Sequence, residues 1–330
     1  MLRNVAARLE PPMLRPRRSV QAAVIVNANA GALRRNPGLA GQLERVAGAR
    51  AALFFTRNEA ELHRAARQIA EQRLGRVALI GGDGTASHTL TALWRAYGDR
   101  PLPAIALLRG GTMNTVARSL GVSPRGPATL LRRALSAWSQ ERPYYVARNA
   151  LQVGDRLGFL FGTGLMYGWL AEYYARGDGH PTPWTAAHVF GSCLLSALVA
   201  GPTYRRIRGR DDLAVRFDGG EWESRDYITV GAGTVAHAGL GFRPFYLSEG
   251  NSPCFHLLAI KGDAASLARD LPSIWRGRGM SAETAYEAPA RWAELRTAHP
   301  SFGYFVDGDL LVAGSALRLQ LGPLFRVLCI

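Results

Sequence analysis

The chain has 330 residues, 48% of them apolar, a mean hydropathy of −0.04 and a formal net charge of +15. That length accommodates two domains of ordinary size, and the apolar content supplies a sizeable core. No run of about 20 uninterrupted apolar residues offers a membrane-spanning helix; the nearest candidate, Trp184 to Gly201, contains His188 and reads as a buried or interfacial helix. Lysine occurs once, at Lys261, so 39 of the 40 basic residues are arginine. Charge of this size favours anionic partners, nucleotides and phospholipid surfaces among them. No basic run outside the N-terminal arm resembles a nucleic-acid motif, so no specific nucleic-acid partner is expected.

Residues 1–19 form a basic, proline-broken arm with five arginines against Glu10. It lacks the apolar core of a signal peptide and is expected to be poorly ordered. From about Val20 to Gln140 the pattern alternates between strand and helix. Ala22 to Asn27, Ala51 to Thr56, Arg76 to Gly82 and Pro103 to Leu108 read as strands. Helices are expected over Gly38 to Ala49, Glu59 to Gln72, Ala86 to Tyr97, after Thr112, and over Pro127 to Trp138. Strands that are apolar throughout, separated by helices, indicate a parallel sheet covered on both faces. This part reads as a Rossmann-like α/β nucleotide-binding domain, residues 20–141.

Beyond it the texture changes to short β-type runs punctuated by Gly and Asp turns: YYVARNALQV, RLGFLFGTG, LAVRFDGGEW, YITVGAG, CFHLLAI, YFVDGDLLVAG and ALRLQL. They predict a mainly antiparallel β-sandwich domain, residues 142–319, with a helical insertion at 168–200. Residues 320–330 are expected to return to the first domain. Cys193, Cys254 and Cys329 lie far apart, with no CxxC and no HExxH, which points to reduced thiols in a cytoplasmic protein rather than a disulfide framework or a zinc site.

The chemistry concentrates at strand ends, where ligands of open α/β sheets bind. The third strand runs into Gly81-Gly82-Asp83-Gly84-Thr85, and the fourth into Gly110-Gly111-Thr112-Met113-Asn114. Glycines let backbone amides approach phosphate oxygens and permit positive φ, and the helix that follows points its N-terminus at the same place. Thr85 suits an N-cap. A carboxylate facing phosphate would repel it, so Asp83 must bind a metal, orient a hydroxyl or accept a proton. The competing reading is a tight turn in which Asp83 only caps a helix. The loop is neither a Walker P-loop, which needs Gly-Lys-Ser/Thr, nor a GxGxxG dinucleotide fingerprint.

Taken together, VNANAG (Val26 to Gly31), Thr56, GGDGT, GGTMNTVAR, GLGFRP (Gly239 to Pro244) and VDGD (Val306 to Asp309) make the chain resemble the diacylglycerol kinase catalytic-domain superfamily, which includes bacterial lipid kinases and sphingosine and ceramide kinases. The resemblance spans most of residues 20–325. It implies ATP and Mg²⁺ in a cleft between the two domains. It also implies nucleotide contacts from Asn27, Ala28, Asn29, Ala30, Gly31, Thr56, Gly82, Asp83, Gly84, Thr85, Thr112 and Asn114. In the family a late Asp-Gly-Glu turn supplies the proton acceptor for the lipid hydroxyl; here the turn is Asp307-Gly308-Asp309, which makes Asp309, Asp307 and Asp83 the candidate catalytic acids. From spacing alone, the same turn reads equally as a simple DG hairpin.

Three positions depart from the family pattern. Ser87-His88 replaces an Asn-Glu pair, Thr115 an aspartate, and Glu249-Gly250 an Asp-Gly turn. Two of these remove acids suited to Mg²⁺, so the metal ligands are not identified and the ion is expected to arrive with ATP. The implied activity is transfer of the γ-phosphoryl group to a lipid hydroxyl of diacylglycerol or sphingosine type. The alternatives are an NAD kinase-like enzyme, which also carries GGDGT, and a degenerate nucleotide- or lipid-binding regulator. With its basic arm, the apolar segment 184–200 and the aromatic WLAEYY (Trp169 to Tyr174), the protein is expected to touch an anionic membrane surface peripherally.

Overall fold

The computed structural model describes residues 22–111, 114–176, 188, 192, 212–250 and 252–330. The N-terminal arm, Thr112 and most of the segment 184–200 lie outside the described residues.

The first half is β1 (Ala22–Asn27), α1 (Gly31–Arg35), α2 (Leu39–Ala47), β2 (Ala51–Thr56), α3 (Glu59–Glu71), β3 (Arg76–Gly81), α4 (Asp83–Tyr97), β4 (Ala104–Arg109), α5 (Thr115–Ser119) and α6 (Pro127–Trp138). The second half is β5 (Tyr145–Val153), β6 (Arg156–Gly158), β7 (Leu160–Thr163), α7 (Gly164–Arg176), β8 (Asp212–Phe217), β9 (Gly220–Asp226), β10 (Thr229–Gly233), β11 (Phe255–Ile260), α8 (Ala264–Trp275), β12 (Ala285–Ala290), β13 (Trp292–Thr297), β14 (Phe302–Val306), β15 (Asp309–Ala313) and β16 (Ala316–Leu328).

Strands β1 to β4 pair in parallel in the order β2-β1-β3-β4, and their apolar residues are buried on both faces, as continuous Val, Ile, Leu and Ala runs require. The long strand β16 extends this sheet. Its end meets β4 in parallel at Val327, its start pairs antiparallel with β13, and β5 runs antiparallel along it. A second sheet, β12-β11-β10-β7-β14-β15, is antiparallel throughout. It packs on the antiparallel part of the first, burying Leu151, Val215 and Leu295 of one sheet against Phe161, Val230 and Leu257 of the other. The fold is therefore an N-terminal parallel α/β domain followed by a C-terminal antiparallel β-sandwich.

Several local expectations need correcting. Helix α4 begins at Asp83, not Ala86, so Thr85 sits in its first turn and Gly82 is the N-cap. The short helix α1, helix α8 and the pair β12–β13 were not read from the sequence. Pro272 lies inside α8 and Pro289 inside β12, and both residues argue for a break. Strand β12 tolerates Pro289 because it is the sheet's edge, where a missing N–H costs no ladder bond.

Helix α4 also fastens the two domains. The Ser87 hydroxyl donates to the Leu157 carbonyl at 2.6 Å, and the Leu157 amide donates to Thr91 Oγ1 at 2.9 Å. Ser87 is fully buried, so its departure from the family pattern has a packing reason: it ties α4 to β6.

Candidate active site

The C-terminal ends of β1 to β4 converge as the sequence suggests. Asn27 Nδ2 donates to Thr85 Oγ1 at 2.8 Å, and the Ala28 amide to the Thr56 carbonyl at 2.9 Å. Asn29 Nδ2 donates to the Arg57 carbonyl at 3.0 Å, Ala30 is the N-cap of α1, and Gly31 opens that helix. Thr56 is buried, with its hydroxyl turned back on the Val26 carbonyl. The two glycine loops lie side by side, and the Gly110 amide donates to the Gly81 carbonyl at 2.9 Å. Gly82, Asp83, Thr85, Arg109 and Asn114 line a crevice at this junction.

The glycines have a specific steric cause, and it is not positive φ, which none of Gly81, Gly82, Gly84, Gly110 and Gly111 adopts. A Cβ on Gly111 would collide with the Cα of Gly82, and one on Gly110 would stand 2.9 Å from the Gly81 nitrogen. Two backbones touch, and neither can give way by rotating a side chain. Gly111→Ala is therefore expected to cost about 1–3 kcal/mol or more, as overpacking does. Thermal unfolding checks this, and an unchanged melting temperature would show that the loops separate freely.

The three candidate acids point in different directions. Asp83 turns inward and accepts from the Thr115 amide at 2.8 Å and the Val116 amide at 3.0 Å. It thereby caps α5 across the crevice, and burial of the carboxyl raises its pKa despite those amides and the Arg109 charge. Asn114 holds the same loop. It has φ of 50°, its Oδ1 accepts from the Gly111 amide at 3.0 Å, and its Nδ2 donates to the Gly111 carbonyl at 2.8 Å. Asp307 is 2% exposed and receives the Phe159 amide at 2.9 Å and the Leu160 amide at 2.8 Å. Burial, with the Asp83 charge adding, lifts its pKa well above the ordinary value.

Asp309 alone of the three faces the loop. Asp307 and Gly308 have φ of 48° and 103°, and Val306 pairs with Asp309 across them, so the turn is indeed a two-residue hairpin. That hairpin also aims Asp309 across the domain boundary, where Oδ1 stands 3.0 Å from the place a Cβ on Gly84 would occupy. Tyr174 of α7 donates to the Gly308 carbonyl at 2.8 Å, and Trp169 stacks on Tyr173 with centroids 5.7 Å apart. The aromatics of WLAEYY thus brace the hairpin; Tyr173 is buried and Tyr174 is 41% exposed.

The sequence reading missed three residues that the structure gathers on Asp309. Arg156 Nη1 donates to Asp309 Oδ2 at 2.7 Å, His88 Nε2 lies 2.6 Å from the same oxygen, and Glu59 Oε1 lies 2.9 Å from His88 Nδ1. One signal was available: His88 follows Gly84 by four residues, which places both on one face of α4.

Mg²⁺ finds no ready-made cage here. Among the described residues no three His, Cys, Asp or Glu side chains group to hold a metal ion. Both oxygens of Asp83 and of Asp307 are engaged by amides. The residues present therefore do not fit a resident ion.

Residues 21–143 match the family model for the diacylglycerol kinase catalytic domain. No curated protein sequence matches the chain. Two Bacillus anthracis str. Sterne structures share its fold. One, named as a candidate diacylglycerol kinase, superposes with a TM-score of 0.66 at 16% identity, over 94% of this chain and 97% of its own. The other, named as a diacylglycerol kinase, gives 0.60 at 15% identity over the same shares. Residues 21–143 are thus similar to the diacylglycerol kinase catalytic domain, and the chain as a whole shares the fold of these two proteins.

Proposed function

We propose that the protein is an ATP-dependent lipid kinase. The observation that carries this reading is the meeting of Asp309 with Gly84, an acid from one domain brought against the glycine loop of the other. The glycine loops and the start of α4 receive the phosphates, and Arg109 lines the same crevice. The lipid hydroxyl attacks the γ-phosphorus in line. Its O–P bond forms as the bond to the β-phosphate oxygen breaks, ADP leaves with that electron pair, and Asp309 takes the hydroxyl proton. Asp83 and Asp307 shape the site instead: one holds α5 and the other holds the hairpin.

The test is transfer of labelled phosphate from ATP to a panel of diacylglycerol, sphingosine, ceramide and NAD. Labelled lipid supports the reading, labelled NAD makes the protein an NAD kinase, and no product from any acceptor makes it a binding protein.

Mg²⁺ would enter as the ATP complex, because it keeps several waters and relies on few carboxylates plus phosphates. Equilibrium binding at millimolar concentration is expected to detect little Mg²⁺ without nucleotide. A tight, nucleotide-independent site would contradict this.

A lipid substrate also requires contact with a surface. Among the described residues no helix is long and apolar enough to cross a membrane. Arginines attract anionic lipid at about 1 kcal/mol per charge near the surface. Sedimentation with anionic vesicles is therefore expected to pull the protein down at low salt and release it at high salt, with neutral vesicles retaining little. Equal binding to both vesicle types would remove the electrostatic argument.

A further inference from the structure

We propose that Glu59, His88 and Asp309 form a proton relay, through which the proton that Asp309 takes from the acceptor hydroxyl leaves by way of His88. The inference rests on the kinase reading above and adds the step that lets Asp309 act again.

The three residues come from α3, α4 and β15, and the contacts run in one line. Asp309 Oδ1 faces the glycine loop, while Oδ2 lies 2.6 Å from His88 Nε2. On the far side of the ring, Nδ1 lies 2.9 Å from Glu59 Oε1. Glu59 is the most open of the three, its side chain 66% accessible against 31% at Asp309 and 28% at His88, so the path ends in water. Arg156 of β6 also reaches this junction, 2.7 Å from Asp309 Oδ2 and 3.3 Å from His88 Nε2, and the buried Asp307 lies close enough to feel the Asp309 charge. The fixed fork of N–H donors on Arg156 holds the Asp309 carboxylate in place without accepting a proton.

A neutral imidazole has one N–H and one acceptor nitrogen. Set between two carboxylates, it donates to one while remaining able to receive from the other, which is the arrangement that passes a proton. Phosphoryl transfer leaves Asp309 protonated, and a second turnover needs its carboxylate back. Asp309 gives the proton to Nε2, Nδ1 gives its own to Glu59, and Glu59 releases it to water. The ring is left protonated at Nε2; solvent, which reaches the 28% accessible side chain, takes that proton and returns one to Nδ1, restoring the starting tautomer. Each residue ends as it began, with one proton delivered to solvent. An exposed ion-pair network with no such task would serve only stability, and weakly.

The experiment compares His88→Gln, His88→Gly and Glu59→Gln with the unaltered full chain, using labelled ATP and diacylglycerol in mixed micelles. Glutamine keeps a polar group near Asp309 but cannot pass a proton. His88→Gln is expected to lower kcat about 10²-fold, at the low end of what acid–base groups contribute, with KM for ATP and lipid unchanged. Glu59→Gln is expected to lower it several-fold. The half-open position of His88 admits a small base, so imidazole in the buffer should restore His88→Gly, which also shows that this variant is folded. If the unaltered chain is active and His88→Gln turns over at its rate, or imidazole restores nothing, the relay is wrong and the kinase reading stands. If the unaltered chain labels no lipid, the kinase reading fails and the relay falls with it.

Discussion

Asp309→Asn is expected to lower kcat by about 10²- to 10⁴-fold, the range a general base contributes, while ATP affinity stays close to that of the unaltered protein. Asparagine preserves the size of the side chain and one acceptor oxygen for Arg156, so the hairpin and the loop keep their places. What it loses is the ability to take a proton. Asp83→Asn should behave differently. Asp83 holds the Thr115 and Val116 amides with both its oxygens, and asparagine offers only one good acceptor. A cost of about 0.5–2 kcal/mol, as for other lost helix caps, would accompany any fall in rate. Steady-state kinetics paired with chemical denaturation separates the two. Near-normal turnover by Asp309→Asn would return the turn to a plain DG hairpin and remove the central step of the proposed mechanism.

The parallel half of the fold was legible because its signals are local. The strands β1 and β2 fall on the residues expected, since each apolar run ends abruptly at a polar residue. The start of α4 was placed three residues late because Gly82-Asp83-Gly84 looks like loop. Glycine is a poor helix former, yet Gly84 serves in the first turn, where a Cβ would stand only 3.0 Å from the Asp309 carboxylate. In the second half, Pro272 and Pro289 hid α8 and β12, and only tertiary context makes those prolines harmless.

The site divides along the same line. Glycine loops and acidic turns are contiguous in the chain, so their existence could be read. Which acid faces the glycine loop could not, because Asp83, Asp307 and Asp309 differ only in where the fold turns them. The group around Asp309 is assembled from α3, α4, β6 and β15, and no spacing in the sequence links Glu59, His88 and Arg156. His88 and Ser87 were visible only as departures from a pattern. The structure gives each a neighbour: Ser87 locks α4 to β6, and His88 touches the acid at the loop.

The second large effect concerns Asp307, and its sign with pH follows from its burial. Its folded pKa is raised well above the ordinary 3.8, by burial first and by the Asp83 charge next. For an acid shifted upward, the folded state holds its proton over a range where the unfolded chain has lost it. Its contribution to stability is fully present below the unfolded pKa and is lost as pH rises through the folded value. Asparagine resembles the protonated acid, with one oxygen left to accept the Phe159 and Leu160 amides. It also tolerates the left-handed φ of 48° at this position. Asp307→Asn is therefore expected to gain on the unaltered protein as pH rises above the unfolded value of 3.8, and to stand better against it at pH 8 than at pH 5. Asp307→Ala leaves the two buried amides unpaired, at about 1–3 kcal/mol each, and places an ordinary side chain at positive φ. It should be destabilised at every pH, and kcat should fall with it because the hairpin no longer fixes Asp309. Urea denaturation of both variants at pH 5 and pH 8 decides the matter. Equal losses for asparagine and alanine at both values would mean that Asp307 carries its charge in the folded protein, and that the anion itself latches the hairpin.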